Sequence, residues 1–420
     1  MILKKYKTST PVVYFDGKTP VEIPNYCKRR TKVRGIWVSN VANIDTPIMK
    51  DVESYKQYLK DMIKRIAEYN FNLIIFQVRP TNDAYYESKL NPWSRFITGT
   101  EGQHPGFDVL QFVIEEAKKY NIEIHAWMNP YRVGVEALDK INLTKEEYLA
   151  KLSPTNFARL HPEETIVDGT QKVILKPASQ KVIDFVTATI MEVVENYDVT
   201  GVHIDDYFYP YAKVDRALEE EDYQARLKEN PELSFDDFRR DNVDRMIKSI
   251  HDAMKKSFSK TKKKVAFGIS PFAIYRTHSS LKEGGWDRGS LHTAGATQCY
   301  ADLYSDVYKW MKEGWIDYVV PQVYFSFERT DVNYHDLTKW WNDIVDDLKI
   351  DLYIGHGLYQ MGSNEVWANP KEIDNQLRFN AQYKNISGSI FFTYKDIVPG
   401  QNETKDKGIE LLKKRFNTNK

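Results

Sequence analysis

The sequence predicts an α/β fold, a (β/α)8 TIM barrel with long loops after strands 3 and 4. Two observations lead there. Eight short apolar runs alternate with eight helical patterns, the alternation that parallel strands and crossover helices produce. The 420 residues suit one elaborated barrel, a class that runs from about 250 residues to above about 400 with insertions. The competing doubly wound sheet is expected to carry a Gly-rich dinucleotide fingerprint after its first strand, and none stands there.

The predicted strands are Arg34–Asn40, Asn72–Arg79, Ile122–Asn129, Gly201–Asp206, Val265–Ser270, Tyr318–Tyr324, Leu352–His356 and Gly388–Tyr394. The sixth contains Pro321, a poor fit to a central strand because proline donates no ladder hydrogen bond. The helix Ser54–Tyr69 places Tyr55, Tyr58, Leu59, Met62, Ile63 and Ile66 on one face. Phe107–Tyr120 follows, with Asp108 as its N-cap. Ser179–Asn196 carries a stripe of Val182, Ile183, Val186, Ile190, Val193 and Val194. Phe235–Phe258, Ala301–Gly314, Tyr334–Asp347, Pro370–Tyr383 and Gly408–Phe416 complete the alternation. Residues 1–32 read as an N-terminal extension packed on the barrel, and 33–420 as the catalytic barrel. The long connections, 130–178 and 207–233, both leave C-terminal strand ends, where barrel enzymes build their sites.

Composition narrows the function classes. Lys plus Arg equals Asp plus Glu, 59 against 59, which argues against a general nucleic-acid or anionic-membrane binder. The 9 Trp, 27 Tyr and 20 Phe suit stacking on sugar rings, and equally a large core. Cys27 and Cys299, far apart, form neither a disulfide framework nor a zinc-ligand pattern. No apolar segment follows the charged N-terminus, so no signal peptide is read, and a cytoplasmic location rests on that alone. No stretch reaches the roughly 18 apolar residues of a membrane span. No cofactor and no metal are expected.

Strand parity selects the candidate site. Val202 and Ile204 face the helices, so His203 and Asp205 face the barrel axis. The same test sends Ile122, Ile124, Ala126 and Met128 outward and Glu123, His125, Trp127 and Asn129 inward. It leaves Gln77 and Arg79 inside on the second strand, pairs Gly268 with Ser270 on the fifth, and pairs Gln322 with Tyr324 on the sixth. Polar residues at buried positions cost stability unless paired, so Arg79, His125, Asn129, Asp205, Ser270, Gln322 and Tyr324 together point to a site rather than to structure alone.

Glycosidic cleavage requires a proton donor for the leaving oxygen and a nucleophile, base or charge stabiliser. Asp205 is the leading catalytic carboxylate, and Asp206 is its less regular partner because a continuing strand turns it the other way. His203 is expected to hydrogen-bond Asp205 and tune it. Tyr207 begins an aromatic run, ending at Tyr211, that suits a subsite wall, and Tyr131 is a further loop candidate with Tyr85, Tyr86, Trp93, Trp286 and Trp367. Asp206, Asp83, Asp287 and Glu328 are the candidates for the second catalytic group.

These segments, taken together, resemble glycosyl-hydrolase-like family 10. The matching motifs are Arg34-Gly-Ile-Trp-Val, His125-Ala-Trp-Met-Asn-Pro-Tyr-Arg132 and Gly201-Val-His-Ile-Asp-Asp-Tyr-Phe-Tyr-Pro210. Phe238-Arg-Arg-Asp-Asn-Val243, Phe267-Gly-Ile-Ser-Pro-Phe272, Tyr300-Ala-Asp302 and Gly314-Trp-Ile-Asp-Tyr-Val-Val-Pro-Gln-Val-Tyr324 follow in the family's order. The resemblance implies a catalytic barrel acting on bacterial cell-wall glycan, cleaving denuded peptidoglycan strands between N-acetylmuramic acid and N-acetylglucosamine. It also implies export as a lipoprotein, and here the chain departs, showing no lipobox cysteine; Phe238 stands where relatives carry Trp. The pattern His203-x-Asp205-x-Tyr207 is similar to the strand-four motif of family 18 chitinases, with Tyr207 in place of that family's glutamate acid.

The expected partner is an oligo- or polysaccharide. Two other classes compete: a metal-dependent glycan deacetylase with His203, Asp205 and Asp206 as ligands, and a non-catalytic carbohydrate-binding barrel.

Overall fold

The computed structural model describes residues 1–25, 31–278, 286–293 and 295–418. Cys27 lies outside them. Eight parallel strands close a barrel: β1 (Val33–Val38), β2 (Leu73–Arg79), β3 (Glu123–Met128), β4 (Gly201–Ile204), β5 (Ala266–Ile269), β6 (Tyr318–Val319), β7 (Asp351–Gly357) and β8 (Ile386–Phe392). Each pairs with its sequence neighbour, and β1 closes the ring on β8, with Gly35 level with both Leu73 and Ile390. Eight principal helices follow the strands in turn: α1 (Val52–Glu68), α2 (Val109–Lys118), α3 (Gln180–Asn196), α4 (Phe235–Thr261), α5 (Val307–Lys312), α6 (Tyr334–Ile344), α7 (Glu372–Asn380) and α8 (Glu403–Asn417).

Local signals explain the boundaries. Asp108 caps α2 by accepting from the Gln111 amide, as its position predicts. The sixth strand is much shorter than the apolar run Tyr318–Tyr324, because Pro321 ends the regular ladder after Val319. Isolated bridges from Gln322 to Phe272 on one side and to Gly355 on the other continue it. The helix expected over Ala301–Gly314 breaks into a turn at Cys299–Asp302 and α5, which the Asp306 side chain caps. The last helix begins earlier than its apolar spacing suggests, at the Asn402 cap.

The core divides into two. The larger part lies between barrel and helices, with Ile74, Phe76 and Val78 of β2 and Val202 and Ile204 of β4. The smaller fills the barrel itself with Trp37, Leu73, Ile75, Trp127, Tyr318, Val320, Tyr353 and Ile390. Large inward rings sit against glycines. A Cβ on Gly201 would lie 2.6 Å from the His125 ring, and one on Gly268 would lie 1.9 Å from the Tyr318 ring. Only glycine leaves that space, so the barrel centre is packed and the site is confined to its C-terminal rim.

Residues 1–25 form a small antiparallel unit in which the Leu3 amide bonds Val21 O and Val12 bonds Leu3 O, both near 2.9 Å. It docks on α6 and α7: His335 meets Val13 O at 3.0 Å, and the Arg378 guanidinium reaches Pro24 O at 2.8 Å. Among the described residues no helix is long and apolar enough to cross a membrane.

Candidate active site

Two consecutive carboxylates occupy the rim at the end of β4. Asp205 is buried and faces the axis, as parity predicts. Its Oδ2 accepts from Trp127 Nε1 at 3.0 Å, its Oδ1 accepts from Asn129 Nδ2 at 3.1 Å, and the Tyr207 amide adds a third donor at 3.1 Å. Asn129 is itself fixed, because its Oδ1 accepts from the Arg132 amide at 2.8 Å. Three N–H donors hold this carboxyl group in one orientation.

Asp206 also reaches the rim, against the parity expectation. The strand ends at Ile204, so the two-sided alternation no longer binds it. Its Oδ1 accepts from Gln322 Nε2 at 2.9 Å, and its Oδ2 accepts from the Tyr211 hydroxyl. Burial and the adjacent Asp205 charge push its carboxyl up to about 6. The two carboxyls therefore differ: Asp205 is fixed by its three donors, and Asp206 keeps its proton into mildly acidic conditions.

Beside Asp206 opens a cleft of about 730 Å³. Tyr211, Phe272, Gln322, Tyr324, Tyr359 and Phe392 line it, together with Arg329 and Asp331. Tyr211 and Tyr359 are 48% and 41% exposed, an exposure of large rings suited to stacking on sugars. Burial raises the Tyr324 hydroxyl well above its ordinary range, with the Tyr359, Asp206 and Asp205 charges adding to it. Arg329 clamps Asp331 with bonds of 2.8 and 2.9 Å, which holds that carboxyl down near 2.

Several residues expected in the pocket lie elsewhere. His203 does not bond Asp205. It sits one layer deeper, with Nδ1 at 3.0 Å from the Tyr318 hydroxyl and Nε2 at 2.8 Å from Ser270 Oγ. Ser270 is thus a buried partner of His203, and its carbonyl accepts from Gln322 at 2.9 Å. His125 shares the Tyr318 hydroxyl at 2.8 Å, and burial alone lowers its ring to about 3. Arg79 faces the helix layer, because a register shift between Gln77 and Arg79 sets it level with Met128. Its guanidinium is spent on Asn129 O and Asn82 and packs over Phe185. Tyr131 is fully buried under the hairpin of Thr165–Val167 and Val173–Leu175, where its carbonyl accepts from Leu175. Tyr207 stays near the rim, half-buried, with the Arg132 guanidinium 4.6 Å above its ring.

The other second-group candidates also point away. Asp83 is buried on the Thr81 amide, Glu328 accepts from the Tyr6 amide of the N-terminal unit, and Asp287 is exposed outside the cleft. Among the described residues no three His, Cys, Asp or Glu side chains converge as a metal set, and His203 turns both ring nitrogens away from the aspartates. Tyr85, Tyr86, Trp93 and Trp367 are buried in the core, and Trp286 packs on Tyr275 and Tyr308. Sequence reasoning missed Phe272, Tyr359, Arg329 and Asp331. It read Trp127 as inward without seeing that its indole N–H lands on Asp205.

The loop carrying Arg329 and Asp331 is pinned from below. Glu372 of α7 accepts from the Phe327 amide at 2.9 Å and from Gln376 Nε2 at 3.0 Å, and Gln376 continues to His356. Burial pushes the Glu372 carboxyl up from 4.5 to about 7. Below the ordinary glutamate range both folded and unfolded chains hold this proton. As pH rises towards 7 the unfolded chain releases it while the fold resists, so stability is lost across that window. Glu372→Gln keeps both acceptor bonds and removes the penalty. It is expected to stabilise the protein by about 1–3 kcal/mol near pH 8 and by little near pH 4.5. Thermal melts at the two pH values check this; an equal shift at both would exclude the carboxyl as its source.

Comparison with known proteins agrees with this architecture. A family model described as glycosyl hydrolase-like 10 matches residues 32–371. The chain is 35% identical over 371 residues to glycosyl hydrolase YngK of Bacillus subtilis (strain 168), covering 87% of this chain and 69% of that protein. It is 32% identical over 380 residues to glycosyl hydrolase DigH of Escherichia coli (strain K12), covering 86% and 82%. Among solved structures, the PgaB (BpsB) glycoside hydrolase domain from Bordetella bronchiseptica matches with a TM-score of 0.53 at 11% identity, over 91% of this chain and 98% of that one. α-L-Fucosidase isoenzyme 2 from Paenibacillus thiaminolyticus matches with 0.52 at 11%, over 92% and 49%. At such identity these two structures speak for the fold alone. The family match, spanning most of the barrel and both rim aspartates, supports a glycan-hydrolase role, and the chain belongs to the glycosyl hydrolase-like 10 family.

Proposed function

We propose that the chain is a glycosidase that cleaves β-1,4 bonds in an N-acetylated bacterial glycan, with denuded peptidoglycan strands as its substrate. The observation that carries this reading is the unlike carboxyl pair: Asp205 fixed by three N–H donors, Asp206 pushed up to about 6 beside the cleft. Asp206 is the proton donor to the leaving glycosidic oxygen. Asp205, fixed by Trp127 and Asn129, stabilises the positive charge that develops on the sugar as that bond breaks. Tyr211 and Tyr359 offer exposed rings for stacking, and Gln322 and Tyr324 supply polar contacts. Sequence similarity to a cell-wall family supports the choice of glycan.

Mass analysis of products from defined denuded strands tests the assignment. Even-numbered saccharides, each one water heavier than the parent segment, are the expected result. Release of acetate without chain cleavage would identify a deacetylase, and binding without products would identify a carbohydrate-binding barrel.

A further inference from the structure

We infer that Tyr211 is a substrate-displaced latch on the proton donor, so that sugar binding itself readies Asp206 to hold its proton. The inference rests on the glycosidase reading above. Both oxygens of Asp206 are occupied in the free protein, one by Gln322 and one by Tyr211. An acid that must deliver a proton to a glycosidic oxygen needs one of them free. The two blocking groups differ in their freedom to leave. Gln322 is anchored twice, since the same Nε2 also donates to Ser270 O at 2.9 Å. Tyr211 sits on the long loop after β4, is 48% exposed, and lines the cleft. Its ring is not stacked face to face on either aromatic neighbour: it meets Phe272 edge-on at 6.1 Å and Tyr207 at a tilt at 6.0 Å. It is the group a sugar entering the cleft can turn aside.

Turning it aside changes the acid. A hydroxyl donated to a carboxylate stabilises the anion, and Tyr211 and Gln322 both act in that direction on Asp206. The other groups around Asp206 do not compensate. Asp205 beside it acts to raise its carboxyl, while Tyr207 on the same loop, Tyr324 after β6 and Cys299 on the neighbouring turn all have burial-raised ionisations and stay neutral. The Arg132 guanidinium is stacked on Tyr207, and no cation is among the groups that shift Asp206 most. When the Tyr211 hydroxyl leaves and the sugar excludes water, Asp206 takes one proton from solvent. During cleavage that proton passes to the leaving oxygen as the C–O bond breaks; the hydrolytic water then bonds its oxygen to the anomeric carbon and gives up one proton, which restores the one Asp206 delivered. The displaced ring remains at the cleft edge as a stacking surface.

Tyr211→Phe removes the latch and keeps the ring. The falling limb of kcat/KM, which reports the free enzyme, is expected to move up by about one pH unit. The falling limb of kcat, which reports the bound enzyme, is expected to stay where it is in wild type. A purely structural tyrosine moves neither limb, and a kcat loss above tenfold with both limbs unmoved makes the hydroxyl part of the chemistry; either result overturns the latch. A second measurement does not need turnover. Calorimetric titration with chitotriose near pH 7, in buffers of different ionisation enthalpy, is expected to show proton uptake in wild type and less in Tyr211→Phe. Uptake without any glycan cleavage would leave the latch standing and remove the glycosidase reading. Equal uptake by both proteins, or no binding, would remove the latch.

Discussion

Asp206→Asn is expected to lower kcat on a natural glycan by about a thousandfold, the scale of a lost general acid. The variant keeps the shape of the side chain: its carbonyl oxygen can still accept from Gln322, and its amide can donate to the Tyr211 hydroxyl oxygen, so its fold should persist. The loss should depend on the leaving group. A dinitrophenyl glycoside departs without protonation, and on it the same variant should fall by only about tenfold or less. Asp205→Asn should behave differently. Its anion is needed as positive charge develops on the sugar, whichever group leaves, so both substrates should suffer alike. The pH profile supplies an independent check. Wild-type kcat/KM should decline as pH rises through about 6, where Asp206 of the free enzyme loses its proton, and Asp206→Asn should lack that limb. Equal losses on the two substrates for Asp206→Asn would move the acid role elsewhere.

The barrel was legible because its signals are periodic. Alternating apolar runs give strands, and parity along them gives sides, so Trp127, Asn129, His203 and Asp205 were read as inward and are inward. Parity carries no information on height. His125, His203 and Ser270 share the side of Asp205 but lie in the packed layer beneath the rim, where Tyr318 and each other consume their polar atoms. It also fails wherever the ladder is irregular. The register shift in β2 turned Arg79 to the helices, and the early end of β4 released Asp206 to the rim, against Gln322 and Tyr211 of the cleft. Tyr359, Arg329 and Asp331 were not legible at all, because loops after β6 and β7 carry no period and their positions follow from tertiary contacts such as the Glu372 pin.

The loop that carries Asp206 and Tyr211 has its own anchor, and removing it should cost more stability than any surface change. Glu219 is fully buried, and its carboxylate accepts from Arg239 of α4 at 2.6 to 2.7 Å and from the Tyr209 hydroxyl at 2.5 Å. Arg239 also donates to Val214 O at 2.9 Å and stacks between Tyr209, Phe235 and Tyr304. Arg239→Met leaves the Glu219 charge buried with one remaining donor. The expected loss is about 3–5 kcal/mol, most of it the uncompensated carboxylate rather than the lost attraction. Neutralising that carboxylate should therefore restore stability: Arg239→Met with Glu219→Gln is expected to recover about half of the loss. Denaturant unfolding of the two variants decides between this account and simple loss of packing, which predicts that the second substitution brings no recovery. Activity should track the same order. The loop between Tyr207 and Glu219 positions Asp206 against Gln322, and a loop released from α4 loses that register before the barrel itself unfolds.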